Sequence, residues 1–96
     1  MNKTFPLAHN KLAEFIKSYP TPVYLYDEKG IRENMQEFTK AFSIFPVFRE
    51  HFAVKALPNP YIMKILAEEG AGADCSSLAE LILAEKAGIT DEKVIF

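Results

Sequence analysis

Three short runs of β-forming residues, near positions 53, 74 and 95, lie about twenty residues apart, and each gap holds one helix with its own start and stop signals. This repeat constrains the fold more than any other feature, because strands joined through a helix within one sheet run parallel. The first run is His51-Phe52-Ala53-Val54-Lys55-Ala56. Pro58-Asn59-Pro60 then marks a turn, with Asn59 as N-cap and Pro60 at the first helical position. Ile62, Ile65 and Leu66 give that helix a buried face, and Gly70 ends it. Ala73-Asp74-Cys75 is the second strand, after which Ser77 and Glu80 have the S-x-x-E spacing of a capping box. The next helix presents Leu78, Leu81, Ile82 and Ala84, stops at Gly88, and leads to a third strand at Val94-Ile95-Phe96. Such units predict an α/β fold: an open doubly wound sheet, or the N-terminal portion of a (β/α)8 TIM-type barrel, which takes about 250 residues when complete.

Upstream, an extra helix and strand are expected. Leu12, Phe15, Ile16 and Tyr19 share a helical face that Pro20 terminates. Val23-Tyr24-Leu25-Tyr26 is aromatic and branched, which favours a strand, and Asp27 follows as a candidate N-cap. Ile31, Met35, Phe38 and Phe42 then form a second helical stripe, read as core, before an irregular stretch from Ile44 to Arg49. The expected organisation is a single partial domain over 1–96: an N-terminal helix and linker (1–22), a strand and helix (23–50), and the first βα units of the sheet (51–96).

Composition narrows the partners. With 96 residues there is room for one domain or part of one, and 49% hydrophobic residues allow a core. Eleven basic and 13 acidic residues leave a net charge of -2, so no positive field exists to hold nucleic acid. A single cysteine, Cys75, builds neither a disulfide framework nor a cysteine-based zinc site within the chain. No apolar run approaches the roughly 18 residues of a membrane span, and the first residues lack the pattern of a secretory signal. A cytoplasmic protein, away from membranes, is the expectation.

The residues that could carry chemistry cluster at strand ends. Strand alternation places His51, Ala53 and Lys55 on one side, and Lys55 closes its strand just before a helix N-cap. That is the carboxyl end of a parallel strand, where barrels and open α/β sheets both build active sites. Small Ala53 leaves room there for a ligand. A lysine in this position either is desolvated, and so holds the free amine that imine chemistry needs, or snorkels to solvent. Asp74 occupies the equivalent place on the next strand. It could face a cofactor beside Lys55, or accept hydrogen bonds from the Ser76 and Ser77 backbone in a turn. Cys75 reads as a small core residue, and His9 and His51 lack the partners of a metal site. Glu68 and Glu69 read as solvated charges.

Four motifs stand in order along the chain: Thr21-Pro22-Val23-Tyr24-Leu25-Tyr26-Asp27, then Phe52-Ala53-Val54-Lys55-Ala56-Leu57-Pro58-Asn59-Pro60, then Glu69 to Leu81 with Gly-Ala-Gly-Ala-Asp-Cys-Ser-Ser at its centre, and Ala87-Gly88-Ile89 leading to Val94-Ile95-Phe96. Together they resemble the fold type III pyridoxal-phosphate-dependent decarboxylases, most of all the diaminopimelate decarboxylase family. The resemblance implies the barrel rather than the open sheet. It also implies pyridoxal 5'-phosphate as cofactor, Lys55 as the lysine that forms a Schiff base with it, and Ala53 and Asp74 as its neighbours.

The resemblance further implies a small amino-acid substrate, meso-diaminopimelate decarboxylated to L-lysine, and a homodimeric parent enzyme. Leu57 departs from the asparagine common in the family. Cys75-Ser76-Ser77 replaces a Val-Val-Ser or Val-Ala-Ser run and also resembles the Asp-Cys-Ala-Ser of ornithine and arginine decarboxylases. An ornithine- or arginine-type enzyme therefore stays open, as do a non-enzymatic pyridoxal-phosphate-binding barrel protein and an inert remnant. In the family the phosphate loop, the ring-stacking histidine and a C-terminal β domain lie beyond the third barrel strand. These 96 residues are thus expected to correspond to an N-terminal fragment, inactive alone.

Overall fold

The helices begin and end where the chain offers partners for their free backbone groups. The computed structural model describes residues 4–96, so the first three residues of the N-terminal segment, including part of the stretch read for a secretory signal, lie outside it. Asp27 caps α2 (Glu28–Ala41) by accepting from the Gly30 amide at 3.1 Å. Asn59 caps α3 (Pro60–Glu68) by accepting from Tyr61 and Ile62 at 3.0 and 3.4 Å, and Pro60 sits in its first turn. Ser77 Oγ caps α4 (Leu78–Lys86), accepting from the Glu80 amide at 3.2 Å. The C-terminal ends of α3 and α4 share one device. Gly70 and Gly88 adopt φ of +94° and +82°, and the amides of each glycine and the residue after it turn back onto Ala67 and Leu66, or Glu85 and Ala84.

Between these helices run β1 (His51–Ala53), β2 (Gly72–Asp74) and β3 (Val94–Ile95), which form one parallel sheet in the order β1-β2-β3. The α/β class and the parallel strands expected from the repeat are therefore observed. The register pairs Phe52 with Ala73 and Ala73 with Val94, so these three share one face. On that face α3 and α4 close the core of Val54, Met63, Ala73, Cys75, Ala84, Ala87 and Ile89. Ala53, Asp74 and Ile95 form the alternate register row, on the face those helices do not cover.

Several expectations are corrected by this packing. Strand β1 ends at Ala53, and Val54–Ala56 form a 3-10 turn, because the Leu57 amide bonds back to the Val54 carbonyl instead of continuing a ladder. Val23–Tyr26 forms no strand and pairs with none among the described residues, and all four side chains are exposed. On α4, Leu78 and Ile82 face solvent, 72% and 44% exposed, while Ala84, Leu81 and Leu83 meet the core. Phe38 is likewise exposed; of the α2 stripe only Met35 is fully buried. Met63, unassigned in the sequence reading, is 1% exposed and central.

The upstream part is held differently. Helix α1 (His9–Ser18) has no buried residue, and its Phe15 and Tyr19 rings stack on each other at 4.8 Å. Helix α2 docks on α3 through Arg32, which donates to Glu28 on its own helix and to Glu68 and Glu69 at 2.6 and 3.1 Å. Gln36 adds a 2.9 Å bond to Glu69. Glu68 and Glu69 are thus clamp residues rather than simply solvated charges. The irregular stretch after α2 folds over it through Phe42 and Phe48, whose rings stack at 4.5 Å and 4°. The radius of gyration, 15.8 Å, exceeds the about 13 Å of a closed domain near this length, as expected of one covered sheet face with an extended flank.

Candidate functional site

The carboxyl ends of β1 and β2 lie side by side, because Ala53 and Asp74 are register partners. Lys55 follows two residues after Ala53, in the 3-10 turn, and its side chain is exposed. Asp74, the last residue of β2, is exposed as well. Among the described residues neither side chain takes part in a hydrogen bond or ion pair. An amine just past one strand and a carboxylate at the end of its neighbour thus stand at the same edge of the sheet. Ala53 shares the row with Asp74 and adds only a methyl group to the uncovered face.

Of the alternatives open at Lys55, the exposed position is the one observed. The turn at Val54 lifts the lysine out of the strand alternation that would have pressed it against apolar neighbours. At Asp74 the turn-acceptor reading finds no support. The Ser76 amide donates instead to Glu80 Oε2 at 2.8 Å, and the Ser76 hydroxyl reaches both Glu80 oxygens at 3.3 Å. Glu80 closes the capping box one residue earlier than its spacing predicts, on Ser76 rather than Ser77. The S-x-x-E pattern signals the box but not which amide it satisfies.

The neighbouring groups are structural. Cys75 is 1% exposed, and its thiol is pushed up by burial first, then by the Glu80 and Asp74 carboxylates. That suppresses the thiolate, as suits a core residue. His51 lies at the opposite end of the sheet, packed across Gly72. A Cβ at Gly72 would collide with the Lys93 carbonyl oxygen and stand 2.6 Å from the His51 ring, so a side chain there has no room. An apolar cavity of about 480 Å3 between α2, β1 and α3 is lined by Ile31, Met35, Phe52, Ile62, Leu66 and Glu50, among others, and includes neither Lys55 nor Asp74. Glu50 is pushed up by burial, partly offset by His51. Among the described residues no cluster of His, Cys, Asp and Glu could hold a metal, and no helix is long and apolar enough to cross a membrane.

Known proteins resemble this chain in sequence and in fold. Residues 28–96 match the family model described as pyridoxal-dependent decarboxylase, pyridoxal binding domain. The chain is 44% identical over 94 residues to Protein TabA of Pseudomonas amygdali pv. tabaci, covering 98% of this chain and 21% of that protein. It is 42% identical over 85 residues to a diaminopimelate decarboxylase of Aquifex aeolicus, covering 88% of this chain and 20% of the relative. A crystal structure of AQ1208 from Aquifex aeolicus superposes with a TM-score of 0.77 at 43% identity, over 86% of this chain and 20% of that one. The chain spans about a fifth of the length of the relatives it matches. Its three parallel strands and four helices correspond to the N-terminal part of such a domain. By the match over most of its length, the chain belongs to the pyridoxal-dependent decarboxylase family, within the pyridoxal binding domain.

Proposed function

We propose that this chain supplies the lysine-bearing rim of a pyridoxal-phosphate-dependent amino-acid decarboxylase, with meso-diaminopimelate as substrate and L-lysine and carbon dioxide as products. The observation that carries the reading is the rim itself: Lys55 and Asp74 at adjacent strand ends, both exposed and both without partners among the described residues, in a chain of this family. That arrangement fits the cofactor. A primary amine matches an aldehyde, and the desolvation that keeps it free would come from what covers this open face in the whole enzyme; a carboxylate can face the ring, and small Ala53 leaves room beside them. When bound, pyridoxal 5'-phosphate supplies an electron sink for the pair left behind when carbon dioxide departs. Lys55 Nζ would hold the cofactor covalently and give it up to the incoming substrate amine; Asp74 would orient it through charge and hydrogen bonding.

The substrate assignment draws on relatives named diaminopimelate decarboxylase. The exposed, unpaired Val23–Tyr26 run favours the enzyme over a non-enzymatic carrier, since it offers an apolar strand-like segment for a further sheet. We divide the chain as a partial domain of three parts, 1–22, 23–50 and 51–96, acting in a cytoplasmic homodimer on a small amino acid. By itself the 96-residue chain binds the cofactor weakly and does not turn over, because one open sheet face encloses no substrate.

Borohydride reduction of the chain with excess pyridoxal phosphate, followed by peptide mapping, tests the central claim. The pyridoxyl group is expected on the peptide carrying Lys55 and is expected to vanish in Lys55→Ala. Equal labelling of Lys64 and Lys86, or label persisting at wild-type level in Lys55→Ala, overturns the assignment.

A further inference from the structure

We infer that Glu80 is a positioning residue for the cofactor rim: it locks the Asp74-to-Ser77 loop and thereby keeps the Asp74 carboxylate free to face the ligand. The inference rests on the proposed role of the rim, and it adds a residue that lies on a helix rather than at a strand end. Two donors of Ser76 converge on the Glu80 carboxylate, its amide at 2.8 Å and its hydroxyl, which lies 3.3 Å from both oxygens. The Glu80 amide is itself held by Ser77 Oγ at 3.2 Å. On the other side the Cys75 amide donates to the Ile95 carbonyl at 2.8 Å, and the Cys75 side chain is buried in the core. The two residues after Asp74 are therefore fixed from both flanks, the sheet on one and α4 on the other.

The chemistry of the bond explains why a glutamate is used. Asp74 is the last residue of its strand, and the Ser76 amide, two residues on, is the donor that a short acidic side chain ordinarily takes up in a turn. A carboxylate at position 80 captures that amide in a charge-assisted bond. Were Glu80 absent, Asp74 would be the nearest acceptor of its kind in the loop, and folding it back onto Ser76 would consume the carboxylate the rim presents. Glu80 thus acts through Asp74 and not on the ligand.

The test is a pyridoxal phosphate titration of the 96-residue chain, read by absorbance and by borohydride capture on Lys55, across Glu80→Ala, Glu80→Gln, Asp74→Asn and the Glu80→Ala/Asp74→Asn double variant. Far-UV circular dichroism accompanies each. Glu80→Ala is expected to weaken capture on the order of tenfold, the scale of one charge-assisted hydrogen bond. Glu80→Gln keeps an acceptor for the Ser76 amide and is expected to restore most of it. The double variant is expected to bind no worse than Asp74→Asn alone. If Glu80→Ala matches wild type, if Glu80→Gln is as weak as Glu80→Ala, or if the double variant loses the product of the two single effects, Glu80 does not position Asp74, and the rim reading stands without it. If wild type captures no cofactor at Lys55, or Asp74→Asn captures it as wild type does, the rim reading itself falls and takes this inference with it. Should Glu80→Ala lose its helical signal, Glu80→Leu, a better helix former that likewise offers the Ser76 amide no acceptor, replaces it: weakened capture supports the role, and wild-type capture overturns it.

Discussion

The two halves of the chain are built on different principles. From His51 onward each helix is capped at both ends, each strand pairs in register, and a single core joins Val54, Met63, Ala73, Cys75, Ala84, Ala87 and Ile89. From Thr4 to Glu50 only Met35 is fully buried, and Tyr24, Ile44 and Val47 are 82–90% exposed. The first half is attached by a polar clamp centred on Arg32 and by stacked phenylalanines, contacts that do not close a core of their own. The candidate rim belongs wholly to the second half. Its strands pair and its helix caps are satisfied within that half, so the rim does not depend on the contacts of the first half.

Truncating one large apolar side chain in each half gives the largest contrast. Met63→Ala is expected to cost about 2–5 kcal/mol of stability, from lost transfer energy and the cavity left behind. Phe38→Ala, on a side chain 42% exposed, is expected to cost less than about 1 kcal/mol. Chemical denaturation followed by circular dichroism measures both, and comparable losses would mean the two halves share one core.

Removing the clamp comes next. Arg32→Met leaves Glu68 without its donor and Glu69 with Gln36 alone, and is expected to raise amide exchange over Glu28–Ala41 while β1, β2 and α4 keep wild-type protection. Uniform loss of protection along the chain would show that α2 is integral to the sheet's stability.

A smaller effect should follow pH. Hydrogen bonds from Gln36 and Arg32 hold the Glu69 carboxyl below its usual range, so its contribution is present at neutral pH and is lost as pH falls through the lowered value. Glu50 has the opposite sign. Burial raises it, so the folded state is favoured while Glu50 is protonated, and that contribution is lost as pH rises through the raised value. Acid is therefore expected to loosen α2 from α3 while easing strain beside β1. Glu50→Gln should flatten the second dependence and Glu69→Gln the first, as read from denaturation midpoints across the carboxylate range.

The chain's local chemistry marks most element boundaries. Asp27, Asn59, Ser77, Gly70 and Gly88 each act within a few residues of themselves, so their roles follow from neighbours along the chain. The twenty-residue spacing, with one helix in each gap, supplies the crossover connections that parallel strands need. Lys55 and Asp74 could be placed at one rim on those grounds, as strand-end residues one βα unit apart.

Folding in three dimensions decided the rest, where the outcome depends on groups far apart in sequence. Val23–Tyr26 has strand propensity, but a strand needs a partner to pair with, and propensity does not supply one. Leu78, Leu81, Ile82 and Ala84 carry the helical spacing of a buried face, yet only Leu81 and Ala84 of these meet the core, joined by Leu83. Glu68 and Glu69 look like surface charges until α2 brings Arg32 across some 36 residues of chain to meet them. The choice of Ser76 over Ser77 as the amide that Glu80 holds was likewise settled by where β2 ends and α4 begins, a matter of backbone geometry to which residue spacing alone is blind.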